Sequence, residues 1–506
     1  MNTFIDRHSD KIRGVLSCFD RVVLTRTLPD LCRADAMARY LSARQIRLFD
    51  DPRWAEPFQD TIRTHAEQLA RDHGLTIEFI RRLKAFRKEE RLRAIVAQRE
   101  EAPGLVHIVS AMESYPSYQP WHDKATGKTS LRPTDGKCLH YYFYFLGPEL
   151  GLCYLRVPTW APFRLQCYCN GHGVLARQLT QKGISYILLD NAFVEIADWP
   201  RAQALADAWD VHRLHRQLDR IAAAYCPVLG AFPAGVHWGV MQVEYATDVV
   251  FQRQADFQPL YTALTQTAIH AVKPDQVASF LGRKLTGHYQ DDLGNDFSTR
   301  IQGTRIKHHM GPAALKLYDK FGLLARIECT ANDVTFFHHH RTVENRDGTT
   351  EFKLASVRKS IYSLPVLRDH LGAATHRYLD FLAAIADPRP GLRAVEKLAT
   401  PVRQGERSYR GFNLFHRLDL DLFRTILRGE FAISGFQARQ LRGHLHSLSG
   451  AQLSRLLKQL RTHGLIKKVG KRYKYHLTTL GRTVATAALK LRELVVIPLL
   501  THPVAA

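Results

Sequence analysis

The chain has 506 residues, which is too long for one hydrophobic core and corresponds to about three domains of typical size. Its composition, 45% hydrophobic and 24% charged, is that of a globular protein and excludes a disordered or fibrous one. The 71 Lys and Arg residues outnumber the 48 Asp and Glu residues and give a net charge of +23, which favours a polyanionic partner, with nucleic acid preferred over an anionic membrane.

The sequence gives no indication of a membrane or secreted protein. It contains no run of about twenty apolar residues that would span a bilayer. Residues 1–14 carry several charges and no apolar core, so they do not predict a secretory signal. The eight cysteines lack the paired spacing of a zinc site and are expected to be reduced thiols. We therefore expect a cytoplasmic protein.

The first predicted region, residues 1–100, is helical and basic. A helical pattern extends from about Asp30 to Gln98 and includes an amphipathic run from Pro57 to His73. Lys and Arg residues cluster between positions 81 and 93.

Residues 101–386 predict an α/β body with mainly antiparallel sheets. Leu139–Leu146 and Leu152–Val157 are rich in β-branched and aromatic residues and flank a glycine-bounded turn, which predicts a hairpin. A helix is expected over 163–182, a strand over 184–189 and a helix from Pro200. The pattern of residues 200–285 predicts mostly helix, and strands are expected again from 305 to 341.

A polar hairpin is predicted within this body, over residues 316–333. Alternation places Lys316, Tyr318 and Lys320 on one face of the first strand, and Arg326, Glu328 and Thr330 on one face of the next. One interpretation is a solvated sheet face with cross-strand ion pairs. The other is a metal-dependent nuclease site for Mg²⁺ or Mn²⁺, because phosphodiester cleavage uses carboxylates and imidazoles to hold a cation. Its candidate catalytic residues are His308, His309, Asp319 and Glu328, with the triplet 338–340 as further ligands.

The runs Tyr318-Asp319-Lys320 and Arg326-Ile327-Glu328 resemble a segment of the replication-initiation proteins of filamentous phages and small plasmids. The resemblance implies DNA nicking by a tyrosine with a histidine-bound metal. Those proteins carry two histidines around one hydrophobic residue. Here that pattern occurs at His444-Leu445-His446, within the predicted C-terminal domain.

A third candidate surface is an aromatic strand. His140, Tyr142 and Tyr144 share one face, and a helix predicted to follow carries polar side chains from Arg164 to His172. The tyrosines are expected either to stack on unpaired bases or to line a second packed surface.

The remaining acidic residues and glycines are less informative. Asp20, Asp190, Glu244 and Asp248 show no spacing that predicts a catalytic triad. No phosphate-binding glycine loop is present, which argues against an NTP-driven motor.

The chain ends in a predicted basic linker, 387–412, and a predicted winged-helix domain, 413–497. Helices are expected over 418–428, over 435–445 after an N-cap at Ser434, and from an N-cap at Ser449 to a stop at Gly464. Strands at 465–469 and 473–477 would form the wing, and residues 479–494 a closing helix.

The third helix of this domain is predicted to recognise DNA. Leucines at 453, 456, 457 and 460 mark its buried face, so Arg455 and Lys458 on the opposite face would reach base edges. Residues 449–474 contain no Asp or Glu, and the cations around the wing would contact phosphates. The predicted DNA-binding residues are Arg455, Lys458, Arg461, Thr462, Lys467, Lys468, Lys471, Arg472 and Lys474.

This segment, SGAQLSRLLKQLRTHGLIKKVGKRYKYHLTTLG, resembles MarR-like winged-helix regulators, which implies DNA as the partner. The sequence thus predicts an α+β multidomain protein that targets DNA. We expect this protein to belong to a mobile element or to a plasmid-like or phage-like system. Two alternatives stay open. One is a metal-dependent nuclease or strand-transfer enzyme, and the other is a regulator whose body senses a ligand or forms a homodimer.

Overall fold

The structure is a computed structural model that describes residues 3–81, 92, 95–96, 103–232, 237–285, 293–300, 303–386, 398–413, 415–428, 431, 435–446, 448–469 and 473–491. The chain divides into two compact units, Met1–Ala386 and Asp387–Ala506. Both units contain helices and sheets, so the fold is α+β.

An eleven-stranded sheet organises the first unit. The strands of the sheet are β1 Ile12–Thr27, β2 Ile77–Ile80, β3 Gly104–Asp123, β4 Lys128–Gly147, β5 Gly151–Pro158, β6 Leu165–Cys169, β9 His237–Phe251, β10 Leu293–Arg300, β11 Gly303–Met310, β12 Ala313–Lys320 and β13 Leu324–Ala331. Their spatial order is β10-β11-β12-β13-β9-β1-β6-β5-β4-β3-β2, and every neighbouring pair is antiparallel except β2 and β3. Two separate hairpins pair β7 Tyr186–Leu189 with β8 Ala192–Ile196, and β14 His338–Glu344 with β15 Thr350–Ser356.

One face of the sheet packs on helices and forms the main core. The long helix α9, Leu364–Ala386, crosses β9 and β13, where Thr375 contacts Thr247 of β9 and Gly372 lies against the Tyr245 ring. The helices of this unit are α1 Thr3–Arg7, α2 Ala34–Ser42, α3 Asp51–Asp72, α4 Gly171–Gln181, α5 Trp199–Asp207, α6 Val211–Tyr225, α7 Gln254–Ala271, α8 Pro274–Phe280 and α9 Leu364–Ala386. Short 3-10 turns lie at Leu48–Asp50, Pro227–Ala231, Val334–Phe336 and Ile361–Ser363.

Three regions of this unit differ from the sequence prediction. Residues 1–100 do not form a helical region of their own, because β1 runs through the middle of the sheet between β9 and β6. Residues 237–251, inside a stretch predicted as mostly helical, form the central strand β9. The first part of the helix predicted over 163–182 is the strand β6, and α4 starts at Gly171 after the N-cap Asn170. Buried central strands lack the polar alternation that identifies a strand in sequence, which explains the misses at β1 and β9.

The second unit has its own hydrophobic core around the buried leucines 453, 456, 457 and 460. Its helices are α10 Arg417–Ile426, α11 Ala438–Arg442, α12 Gly450–Thr462 and α13 Thr479–Leu491, and its hairpins pair β16 Val402–Gln404 with β17 Arg407–Tyr409, and β18 Ile466–Val469 with β19 Lys474–Leu477. Ser449 caps α12 in a capping box with Gln452, and Gly464 follows this helix at a positive φ. The second half of the predicted linker contains the β16–β17 hairpin. Ser434, Lys471 and Arg472 lie outside the described residues.

Within the part of the chain that the structure describes, no helix is both long enough and apolar enough to cross a membrane.

Candidate active site

A cluster of charged side chains occupies the sheet face opposite α9, on β9, β13 and β12. The register pairs Asp248 with Arg326 and Glu244 with Thr330 between β9 and β13, and Glu328 with Lys316 between β13 and β12. Since alternate residues of paired strands share a face, these side chains all point to the same side of the sheet. The predicted polar hairpin is therefore present, and it belongs to a larger polar surface.

A bulge in β1 brings Asp20 to this cluster. Phe19 pairs with Tyr245 and Arg21 with Glu244, so Asp20 is an extra residue in the ladder between β1 and β9. Bulges redirect side chains in this way beside functional sites. Asp20, Glu244 and Glu328 each offer one carboxylate oxygen, and these oxygens lie within 4.8 Å of one another. In the described part of the chain this is the one group of three or more acidic, histidine or cysteine side chains with the spacing of metal ligands.

Cations and hydroxyls surround the two glutamates. Lys316 Nζ donates to Glu328 and lies 3.4 Å from Glu244 Oε1, and Arg21 Nε lies 3.6 Å from Glu244 Oε2. The Tyr318 hydroxyl donates to Glu328 Oε2 at 2.7 Å. Burial and the neighbouring charge of Glu328 raise the pKa of Glu244, while Lys316 and Arg21 oppose that rise. Two carboxylates this close are stabilised by a cation.

The Asp20 side of the cluster is held by a fully buried arginine. Arg326 donates two hydrogen bonds of 2.6 Å to Asp248, one of 3.4 Å to Asp20 and one of 2.6 Å to the carbonyl of Asn191. His172 Nδ1 lies 3.1 Å from Asp20 Oδ1. Burial raises the pKa of both carboxyls, but His172 and Arg326 outweigh it and hold the pKa of Asp20 well below its usual range. Arg326 lowers the pKa of Asp248 to about 2.

This donor set is suited to a hard divalent cation. Three carboxylates from three strands offer the oxygen ligands that Mg²⁺ and Mn²⁺ prefer. The side chains of Glu244 and Lys316 remain 12% and 21% exposed, so the cluster reaches solvent at this edge. Lys316 and Arg21 next to the carboxylates place positive charge where the oxygens of a phosphate ester would lie.

The four predicted catalytic residues do not come together. Glu328 alone belongs to the cluster. His308 faces α9, where it contacts Asn295 at 2.6 Å and the Tyr378 hydroxyl at 2.8 Å. Asp319 accepts from the Gly322 amide in a turn.

The other predicted histidines are also dispersed. His309 lies 3.8 Å from Asp296 on β10. In the triplet 338–340, the first ring contacts Arg283 and the third stacks on Phe352. His444 and His446, the pair that the replication-initiator pattern singles out, are exposed residues of the second unit.

The hairpin face is not solvated, because its polar side chains are buried, although the expected cross-strand pair of Lys316 and Glu328 is present. Arg326 is 0% exposed, Glu328 3% and Tyr318 9%. The tyrosines of β4 line a packed surface: Tyr142 and Tyr144 are buried and stack on each other with ring centroids 6.4 Å apart. They are not free to stack on bases.

Sequence reasoning missed Asp20, Glu244 and Asp248 because nothing local marks them. They lie far from the hairpin in sequence, with Glu244 separated from Lys316 by 72 residues, and only strand pairing and the β1 bulge bring them to it. The one local signal was the alternation that placed Glu328 beside Lys316.

The chain matches no family model, no curated protein and no solved structure.

Proposed function

We propose that this protein binds DNA and cleaves it with a divalent cation held by Asp20, Glu244 and Glu328, as part of a mobile element or a plasmid-like or phage-like system. The convergence of three carboxylates within 4.8 Å on a polar sheet face carries the proposal. A regulator that only binds DNA has no need for buried acidic groups brought together from β1, β9 and β13.

The reaction would be hydrolysis of a phosphodiester bond. A bound Mg²⁺ or Mn²⁺ would polarise the phosphate and activate water. The carboxylates of Asp20, Glu244 and Glu328 would hold the cation, and Lys316 and Arg21 would neutralise charge on the phosphate oxygens. The oxygen of a water molecule would bond to phosphorus as the bond to the leaving oxygen breaks, and a proton of that water would pass to the leaving oxygen, so that one end keeps the phosphate and the other ends in a hydroxyl.

The second unit supports the DNA-binding part of the proposal. The element order α10, α11, α12, β18, β19 and α13 is compatible with a winged helix, in which α12 would be the recognition helix and β18–β19 the wing. Arg455, Arg461 and Lys467 are exposed, and Lys458, Lys468 and Lys474 are half-buried. With no acidic residue from 449 to 474, this surface would attract phosphates.

Cleavage by the full chain tests the carboxylate cluster. Supercoiled and single-stranded DNA are incubated with the protein and Mg²⁺, Mn²⁺ or EDTA. We expect cleavage only with a cation, and a loss of at least about 100-fold in Asp20→Asn and Glu244→Gln, because one ligand and one charge are removed while the shape is kept.

The matched control is His309→Gln, which alters another candidate on the same sheet without touching the carboxylates. It should cleave like the wild type. Calorimetric titration with Mn²⁺ gives a readout that is independent of cleavage: the wild type should bind, and Glu244→Gln should bind at least about tenfold more weakly. Equal cleavage by the wild type and both carboxylate variants would remove the cluster as the active site.

A further inference from the structure

A cleft of about 520 Å³ opens on the same sheet face as the carboxylate cluster. It lies over β1, β5, β6 and β9, and no Asp or Glu is among the described residues that line it. Its polar and aromatic lining includes His140, Arg156, Trp160, Arg164, His237 and Lys359. A volume of this size fits a ligand as large as a nucleotide.

The cleft leads to the carboxylate cluster along the sheet. Gln166 lines the cleft, and Tyr168 follows two residues later on the same face of β6, about 7 Å away. The Arg21 guanidinium lies 5.7 Å from the centre of the Tyr168 ring and also contacts Glu244. A chain lying in the cleft would therefore pass Arg21 and reach the three carboxylates.

Arg164 supplies a cation that forms no ion pair with the described residues. Arg156 is paired with Glu113 at 2.7 Å and Lys359 with Asp333 at 3.1 Å. Arg164, in contrast, has no carboxylate within ion-pair distance among the described residues, and its buried Nε has no hydrogen-bond partner there. A half-buried guanidinium in this state is suited to a phosphate.

His140 adds an acceptor that lacks a partner. The side chain is 0% exposed, and its Nδ1 lies 3.1 Å from the Cys138 carbonyl, to which it donates. Burial and the nearby Arg156 lower the pKa of His140 to about 4, so the ring is neutral at pH 7 and Nε2 carries a lone pair. Nε2 has no partner in the described structure, although buried polar atoms normally have one. His140 nevertheless lines the cleft, so a small movement of the cleft wall would let an exocyclic amine of a base supply the missing donor.

We propose that this cleft binds an unpaired nucleotide of single-stranded DNA, adjacent to the phosphate that the carboxylate cluster cleaves. The base stacks on Trp160, an exocyclic amine donates to His140 Nε2, and Arg164 contacts the phosphate. Bases within a duplex are paired and stacked and cannot enter a cleft in this way. Thymine has no exocyclic amine, so cytosine, adenine and guanine are bound more tightly. The inference rests on the proposed function for its place beside the cleaved phosphate.

Binding to labelled twelve-residue oligonucleotides tests the proposal. Fluorescence anisotropy is measured in EDTA, so that nothing is cleaved, with oligo-dC, oligo-dA, oligo-dT and a duplex of the same length. All proteins are full length and carry Arg455→Ala and Lys458→Ala, which suppress binding by the second unit. We expect oligo-dC and oligo-dA to bind about tenfold more tightly than oligo-dT or the duplex.

Two cleft variants and one control separate the contacts. Arg164→Gln should weaken binding of every single strand about tenfold and reduce the salt dependence by about one phosphate contact. His140→Phe should abolish the preference over oligo-dT while leaving binding of oligo-dT within about twofold. Arg71→Gln on α3 removes an exposed cation away from the cleft and should match the parent.

Two results would overturn the proposal: unchanged binding by Arg164→Gln in a folded protein, or equal binding of oligo-dC, oligo-dT and duplex by the parent. Because binding is read in EDTA, it does not depend on cleavage. A protein that fails to cut but loses single-strand affinity on Arg164→Gln contradicts the nuclease proposal and supports the cleft. A protein that cuts DNA but keeps its single-strand affinity on Arg164→Gln contradicts the cleft proposal alone.

Discussion

At the scale of single residues, Arg326 is the group on which the polar face depends most. Its guanidinium is completely buried and pairs with both Asp248 and Asp20. Replacing it by methionine keeps most of the volume but leaves two buried carboxylates without their arginine partner. We expect Arg326→Met to lower the free energy of unfolding of the first unit by about 3–5 kcal/mol in a urea titration.

The control for this change is Arg253→Met, which breaks an arginine–aspartate pair at the surface. Arg253 contacts Asp256 at 2.7 Å, but its side chain is 75% exposed. Solvent screens such pairs, so the variant should unfold at nearly the same urea concentration as the wild type. If the two variants were equally stable, Arg326 would not have the structural role assigned to it.

Asp248 should make the stability of the first unit depend on pH below 4. Arg326 lowers the pKa of this carboxyl from 3.8 to about 2, against the effect of burial. The ionised form is therefore stabilised in the folded state. This contribution amounts to on the order of 2 kcal/mol above the pKa of the unfolded chain, and it is lost as the pH falls through 4 towards 2.

The measurement is the difference in unfolding free energy between the wild type and Asp248→Asn at pH 6, 4, 3 and 2. Asparagine cannot ionise, so the variant lacks this part of the acid response. The wild type should be more stable at pH 6, and the difference should shrink as the pH falls. A difference that stays constant over this range would contradict the lowered pKa.

At the scale of elements, the sequence predicts structures that are local in the chain. The β4–β5 and β12–β13 hairpins follow from strand runs around short turns, and α12 follows from its leucine spacing, the Ser449 cap and the Gly464 stop. Each of these signals lies within about twenty residues of sequence, which is why they suffice.

The central strands β1 and β9 could not be predicted in the same way. Both are buried over most of their length on the two faces of the sheet, so their hydrophobic residues do not alternate with polar ones. The candidate active site depends on this missing information, because Asp20 comes from a bulge in β1 and Glu244 from β9. Sequence periodicity gives neither the bulge nor the pairing of strands separated by more than 200 residues. Of the cluster, only Glu328 was predictable, since it lies in a hairpin that could be identified locally.

At the scale of the whole molecule, the chain contains two units with separate hydrophobic cores. The carboxylate cluster belongs to the first unit, and the basic helix α12 and the β18–β19 hairpin belong to the second. Under the proposed functions, duplex recognition and strand cleavage should be separable by mutation in the full chain, because the residues concerned belong to different units.

The double variant Arg455→Ala/Lys458→Ala should separate them. These two cations lie on the face of α12 opposite its buried leucines, so their loss should not disturb the core of the second unit. We expect duplex affinity to fall by at least about tenfold at 0.1 M salt, and the dependence of log K on log salt to become shallower by up to about two phosphate contacts. Cleavage of a short single-stranded oligonucleotide at saturating DNA concentration should stay within about twofold of the wild type.

Asp20→Asn should show the opposite pattern, with duplex binding retained and cleavage lost. An unchanged duplex affinity and salt slope in the double variant would show that α12 is not the recognition helix, and a parallel loss of cleavage would show that the second unit also takes part in the reaction.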